Sequence, residues 1–203
     1  MKLYYTPGAC SLADHIVLEW IGTPYEAVRV SRDERQTPAF RALNPAGAVP
    51  VLEHDGWVLT QNAAILNYLA DSFPEAQLGG DGTPKGRAEV NRWLAFVNAD
   101  VHPAFKPLFG AAAYLEDPAL IEKAKANARS TIRGLLERAD AQLAGREGIA
   151  GARSIADPYL YVVLRWARSQ GVDLSGLDQL ARFSARMDAD PAVHKALREE
   201  GLG

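Results

Sequence analysis

Cysteine is nearly missing from this chain: Cys10 stands alone among 203 residues. An intrachain disulfide is excluded, and no Cys-based zinc cluster can form. The four histidines, His15, His54, His102 and His194, include no close pair and no H-E-x-x-H spacing, so no metal is expected. Long apolar runs are also absent, and none approaches the roughly 18 residues of a membrane span. The opening residues 1–8 lack the continuous apolar region of a secretory signal. These features lead to the expectation of a cytoplasmic protein with no membrane partner. Neither sign of charge dominates, with 22 Lys plus Arg against 25 Asp plus Glu, a net charge of −3 and no block of like charges. Phosphate binding needs a basic face, so no nucleic-acid partner is expected.

What is present is an ordinary globular mixture, 48% hydrophobic and 23% charged. A chain of this length buries a core as one large domain or as two small ones. Its first part changes hydrophobic period often. Leu3-Tyr4-Tyr5 reads as a strand ended by Thr6-Pro7-Gly8. Ala13, Ile16, Val17, Trp20 and Ile21 form one helical stripe, with Ser11 and Asp14 in capping-box spacing before it and Gly22 after it. Ala27-Val28-Arg29-Val30 is a second strand, and strand, helix, strand over so short a span implies a right-handed parallel crossover. Thr37-Pro38 starts a helix that must stop before Asn44-Pro45. Val51-Leu52-Glu53 and Trp57-Val58-Leu59 flank an Asp55-Gly56 hairpin turn. Ile65, Leu66, Leu69 and Phe73 mark a further helix, with Thr60 placed to cap it. The order β-α-β-α-β-β-α fits a four-stranded sheet with helices on both faces, the order of the thioredoxin-like fold.

Gly79 to Gly86 reads as a linker, and nearly all that follows reads as helix. Val90, Trp93, Leu94, Val97 and Val101 mark a helix interrupted at Pro103 and Pro107. Ala124 through Leu143 marks another, and a third runs from the capping-box spacing of Ser154 and Asp157 to Gly171. Pro191 opens a last one. The expected organisation is a thioredoxin-like α/β domain over 1–78, a linker over 79–86 and an all-α helical bundle over 87–203.

Chemistry concentrates at helix starts. Cys10 immediately precedes the first helix, where unpaired N–H groups and the positive end of the dipole favour thiolate. It is either a working thiol or a small buried side chain. Gln61 and Asn62 lie in a first turn able to bind a carboxylate, or they are ordinary first-turn polarity. Val49-Pro50 is a candidate cis-Pro turn that aims a backbone amide outward. His102, beside Pro103, either reaches a pocket from a kinked helix or is a structural histidine.

The segments Tyr4 to Leu12, Asn44 to Leu52, Thr60 to Ile65, His102 to Phe109, and Ser154 to Asp157 with Leu164-Arg165-Trp166 are together informative. In order and spacing they resemble the glutathione transferases, and specifically the bacterial class that carries cysteine near its N-terminus. The resemblance covers essentially the whole chain. It implies a transferase fold and a homodimer that activates glutathione as thiolate for attack on small hydrophobic electrophiles. It makes Cys10 the thiol that contacts the glutathione sulfur or forms a mixed disulfide with it. Val49, before a cis-Pro50, would pair with the tripeptide backbone by strand addition. Gln61 and Asn62 would bind the γ-glutamyl end, and Arg35, with Arg32 as the alternative, the glycyl carboxylate. His102 would face the cysteine from the second domain and, if protonated, add a nearby positive charge, while Asp157 would serve folding. Ser11 is a further candidate donor to the sulfur, and Tyr4 and Tyr5 are phenolic rivals, with Tyr5 held in reserve.

Three departures from the class stand out. Pro103 occupies a position usually Lys, removing a cation. Ala95 stands where Asn is common. Gln61-Asn62 replaces a Glu-Ser-type pair, so the γ-glutamyl ammonium needs another carboxylate, such as Asp100 of a second subunit. Val101, Phe105, Leu108 and Phe109 suggest an apolar pocket or core packing. The competing functions are a glutathione-dependent disulfide reductase using Cys10 covalently, a metabolite isomerase, and a non-catalytic binding module.

Overall fold

A computed structural model describes all 203 residues. The four strands are β1 (Lys2–Tyr5), β2 (Glu26–Arg29), β3 (Val51–His54) and β4 (Trp57–Thr60), in the sheet order β2-β1-β3-β4. β1 and β2 pair in parallel, with Leu3 opposite Ala27. β3 runs antiparallel to β1, Leu3 opposite Leu52, and β4 returns antiparallel beside it, Leu52 opposite Leu59. Helices α1 (Ser11–Ile21), α2 (Pro38–Leu43) and α3 (Asn62–Ser72) interleave with the strands in the expected order.

The period-two alternation of β1 sorts its side chains onto two faces. Leu3 and Tyr5 are buried with Leu12, Ile16, Ile65 and Leu69 of α1 and α3 in the main core. Tyr4 turns to the other face, edge-on to Phe40 of α2 with ring centroids 6.1 Å apart, over a small second core of Val30, Phe40 and Val51. Thr37 caps α2 by accepting from Phe40 N–H, and Pro38 sits in its first turn.

Two expected caps are not made. Ser11 and Asp14 do not form a capping box: Cys10 is the N-cap of α1 and makes no side-chain cap bond. Both side chains are buried, and the Ser11 hydroxyl instead accepts from Thr6 N–H at 3.3 Å. Nor does Thr60 cap α3. It ends β4, and Gln61, with φ at +76°, occupies the cap position.

The remaining chain is helical: α4 (Pro84–Ala95), the short α5 (His102–Ala104), α6 (Pro118–Gln142), α7 (Ala156–Ser169), α8 (Asp178–Ala189) and α9 (Pro191–Glu200). α4 begins inside the expected linker, where the Thr83 hydroxyl accepts from Gly86 N–H and is itself held by Asp81. The long helix breaks ahead of Pro103. Phe96–Val101 form a π-helical turn in which His102 N–H bonds Val97 O, five residues back, because Pro103 supplies no N–H to continue the regular ladder. α8, unread in the sequence, buries Leu180, Phe183 and Met187 along one stripe. Asp157 is buried and accepts from Ile149 N–H and Ser154 N–H, so the second capping box forms and also ties down the preceding loop.

The main core is continuous across both parts, since α1 packs on α3, α7 and α9 together. α9 is fastened by charge as well. Buried His15 of α1 lies between Glu200, at 3.0 Å from Nδ1, and Glu199, at 2.9 Å from Nε2. The Glu200 carboxylate also accepts from Gly8 N–H at 2.8 Å. Lys195 bridges Glu19 and Glu199, so the grouping of His15, Glu19 and Glu199 is closed by a cation of the protein itself. No helix is long and apolar enough to cross a membrane.

Candidate functional site

A cavity of about 270 Å³ opens between the sheet's loops and the helical part. One wall is Cys10 at the head of α1 and the Asn44–Pro50 loop, with Gln61 and Asn62 at the head of α3. The opposite wall is Asn98, His102, Pro103 and Lys106 from the interrupted helix, with Tyr159 of α7. The loop is held from within: Asn44 Nδ2 donates to Ala48 O at 2.7 Å, and its Oδ1 accepts from Ala46 N–H. Gly47, at φ +61°, lets it turn against Arg35, where a Cβ would lie 3.0 Å from Arg35 O. The Val49-Pro50 bond is cis. The Cys10 thiol meets Val49 O at 3.6 Å across the cavity floor.

The proton state of Cys10 differs from the helix-end expectation. Burial first, and then the charge of Asp14, pushes the thiol up to about 12, against the pull of the Cys10 and Ser11 backbone N–H groups and of Arg35. Helix-end donors are thus present but outweighed, because a thiolate here would be stripped of water beside another acid. Burial and then Lys106 likewise hold the His102 imidazole below the usual range, which favours its neutral form. Its Nδ1 is hydrogen-bonded to the Tyr159 hydroxyl at 2.5 Å, and Trp166 packs on its ring at 4.8 Å.

Cys10, Val49, Pro50, Gln61, Asn62 and His102 therefore line one cavity, whereas Ser11, Tyr5 and Arg35 do not. Ser11 reaches the thiol through its N–H alone, its hydroxyl being spent on Thr6. The Tyr5 hydroxyl donates to Glu199 O on the far side of α1, and Tyr4 donates to Glu53. Arg35 stands behind the loop with its Nε buried and without a partner, its charge felt at Cys10, while Arg32 is exposed. Val101 and Phe105 are core residues rather than pocket residues; Phe109 is half exposed, stacked on Phe105 and edge-on to Trp166.

Four polar cavity residues were not singled out as site residues in the sequence: Asn44, Asn98, Lys106 and Tyr159. Asn98 and Lys106 sit one helical turn either side of His102, so its helix face was the available signal. They also revise two departures. Lys106 brings a cation to the wall that Pro103 was read as losing, and Asn98 supplies an amide there, while Ala95 is exposed outside it.

Residues 1–71 match the family model described as Glutathione S-transferase, N-terminal domain. Over all 203 residues, and over the whole of both chains, the sequence is 58% identical to Glutathione S-transferase GST-4.5 of Xanthomonas campestris pv. campestris. This chain belongs to the glutathione S-transferase family. The fold agrees throughout. A glutathione-S-transferase from Xylella fastidiosa superposes with a TM-score of 0.97 at 54% identity, covering all of this chain and 99% of that one. A sphingomonad glutathione S-transferase, solved in complex with glutathione, gives 0.88 at 41% identity over the full length of both. The family's thioredoxin-like sheet and all-helical part are thus the two walls of the cavity.

Proposed function

We propose that the cavity binds glutathione and that the protein joins its sulfur to small hydrophobic electrophiles, as a member of the cysteine-containing bacterial class. The observation that carries this reading is the convergence on one cavity of the Cys10 thiol, the backbone of Val49 before cis-Pro50, and the N-terminus of α3. The groups present suit the tripeptide. Val49 offers its backbone for an added strand. The first N–H groups of α3, with Gln61 and Asn62, suit a carboxylate at the γ-glutamyl end. Arg35, whose Nε has no partner, is the cation for the glycyl carboxylate.

When bound, glutathione supplies the attacking sulfur. The chain's task is to favour its anion, and each pKa unit requires about 1.4 kcal/mol of preferential stabilisation. A protonated Cys10 donates to that sulfur, and Lys106 adds the positive charge that neutral His102 does not. We assign residues 1–78 to the glutathione domain, 79–86 to the linker and 87–203 to the domain bearing the second substrate. We further propose a homodimer, in which Asp100 of one protomer supplies the carboxylate for the γ-glutamyl ammonium of the other; light scattering finding a monomer would contradict it. Support for a buried interface comes from Trp57, half exposed on the open-edge strand β4 and packed against Tyr68.

The deciding experiment is the rate of conjugation of reduced glutathione to an aromatic halide across pH. We expect a rate whose inflection lies well below the pKa of free glutathione. Absence of a rate would move the function to disulfide exchange or to a dedicated metabolite.

A further inference from the structure

A second cavity, of about 450 Å³, lies on the helical part and shares no residue with the first. Its lining is Leu143, Gly145, Arg146, Gln179, Arg182 and Arg186, three arginines among 6 residues and no acid. Two segments bring them together. Gln179, Arg182 and Arg186 stand at i, i+3 and i+7 of α8, which places them on one stripe beside the buried Leu180, Phe183 and Met187. Arg146 follows the end of α6, where Gly145, at φ +70°, turns the chain out of the helix. Like charges one turn apart on a helix repel, and a third cation from another segment adds to that repulsion. The chain as a whole carries a net charge of −3, so this local surplus of cations does not follow from composition.

The protein itself does little to compensate the charge. Arg87, Arg92 and Arg133 each have a carboxylate partner, whereas Arg146, Arg182 and Arg186 form no ion pair. Asp140, near the end of α6, accepts instead from Leu180 N–H at 2.9 Å. Glu147, next to Arg146 in the chain, lines a smaller cavity with Asp157 and Asp190, and Arg186 borders both cavities. One guanidinium is fixed: Arg186 Nη2 donates to Glu147 O at 2.6 Å, and its Cζ lies 5.9 Å from the centre of the Phe183 ring. Arg146 and Arg182 are exposed, and their guanidiniums make no hydrogen bond to the chain. A helix C-terminus attracts cations, but backbone donors already meet the last carbonyls of α6. Leu143 N–H bonds Ala139 O and Asp140 O, and Ala144 N–H bonds Ala141 O.

A guanidinium presents its N–H groups as a planar fork that fits an oxyanion bidentately. A carboxylate, with two oxygens and one charge, satisfies one such fork, whereas linked phosphoryl groups carry oxygens and charge for several. We propose that this second cavity binds a small molecule bearing two linked phosphoryl groups, held by Arg146, Arg182 and Arg186 with Gln179 as an amide donor. The arginines are open to solvent, so the ligand enters without rearrangement of the core. The site is separate from the glutathione cavity and does not depend on it.

The test is calorimetric titration with inorganic pyrophosphate, at low and at high salt, of the natural protein and of Arg182→Gln. Because Arg182 makes no bond within the chain, the variant should keep its fold, which circular dichroism checks. We expect one site per chain, an affinity that falls as salt rises, and binding weakened about tenfold or more in the variant, which lacks one charged fork. Malonate, a dianion of two carboxylates, should bind about tenfold more weakly than pyrophosphate. No binding at millimolar pyrophosphate would overturn the proposal. Undiminished binding by the variant would place the anion elsewhere, the glutathione cavity included, and so reject this site. Malonate binding as tightly as pyrophosphate would reject the phosphoryl class. Should Arg182→Gln fail to fold, Arg146→Gln replaces it with the same expected loss. Conjugation plays no part in the titration, so its result stands whether or not the protein proves to conjugate glutathione.

Discussion

Lys106 is the only permanently charged side chain lining the cavity, and it stands one turn beyond a histidine that is neutral there. Charge at this wall therefore belongs to Lys106. Its replacement, Lys106→Ala, should raise the thiol pKa of bound glutathione by about half a unit, the side chain being exposed and its field screened. Ultraviolet absorbance of the thiolate measures this, and added salt should shrink the difference. His102→Ala should leave that pKa nearer to the natural protein's, because it removes a neutral ring; a larger shift than for Lys106→Ala would restore the protonated histidine. The positions of Cys10, Val49-Pro50 and Asn62 were legible in the sequence because helix starts and X-Pro steps are local signals. The proton states of Cys10 and His102 were not. They depend first on burial, which only folding produces, and then on the charges of Asp14 and Lys106.

Elements show the same division between near and distant causes. The strands and most helices followed from period and punctuation, but α8 lacked a marked start: its cap position is Leu177, which makes no side-chain bond. Thr60 and Gln61 exchanged roles because β4 pairs through Thr60, opposite Val51, and pairing outweighs a capping preference. Glycine substitutions separate packing from propensity. Gly134 lies within α6 with open space where a Cβ would stand, so Gly134→Ala should stabilise the protein by about 0.5–1 kcal/mol in urea unfolding. Gly148→Ala should destabilise by at least about 2 kcal/mol, since its Cβ would meet Ala152 O at 2.4 Å and Asp157 Oδ2 at 2.8 Å. The α1–α9 contact carries a pH dependence. Burial lowers the pKa of His15, but hydrogen bonds to Glu200 and Glu199 more than reverse this and raise it above its ordinary value. A raised folded pKa contributes stability that is complete below the ordinary value of about 6.5 and lost as pH rises through the folded one. His15→Gln should cost about 3 kcal/mol near pH 6, and the gap to the natural protein should narrow as pH rises.

For the molecule as a whole, one core crosses from the sheet to the bundle. The two parts should therefore unfold together. Trp57 and Trp20 report on the sheet side, Trp93 and Trp166 on the helices. Tryptophan fluorescence and far-ultraviolet circular dichroism should give coincident urea transitions, and separated midpoints would show that the parts are independent. The sequence divided the chain correctly into a mixed part and a helical part by their periods. It carried no sign that Trp166 Nε1 donates to Gly8 O at 2.7 Å or that Glu200 holds Gly8 N–H, for both bonds join residues far apart in the chain.

That grip on Gly8 bears on how the protein is made. The Thr6–Cys10 turn leaves the ribosome well before α9, which follows every element it locks in place. Until α9 arrives, His15 lacks both carboxylate partners and Gly8 N–H lacks its acceptor. The nascent sheet and its first helices can gather before then, but the loop bearing the thiol stays unfinished until α9 has been made. Order of synthesis thus delays completion of the reactive centre until the rest of the molecule stands around it.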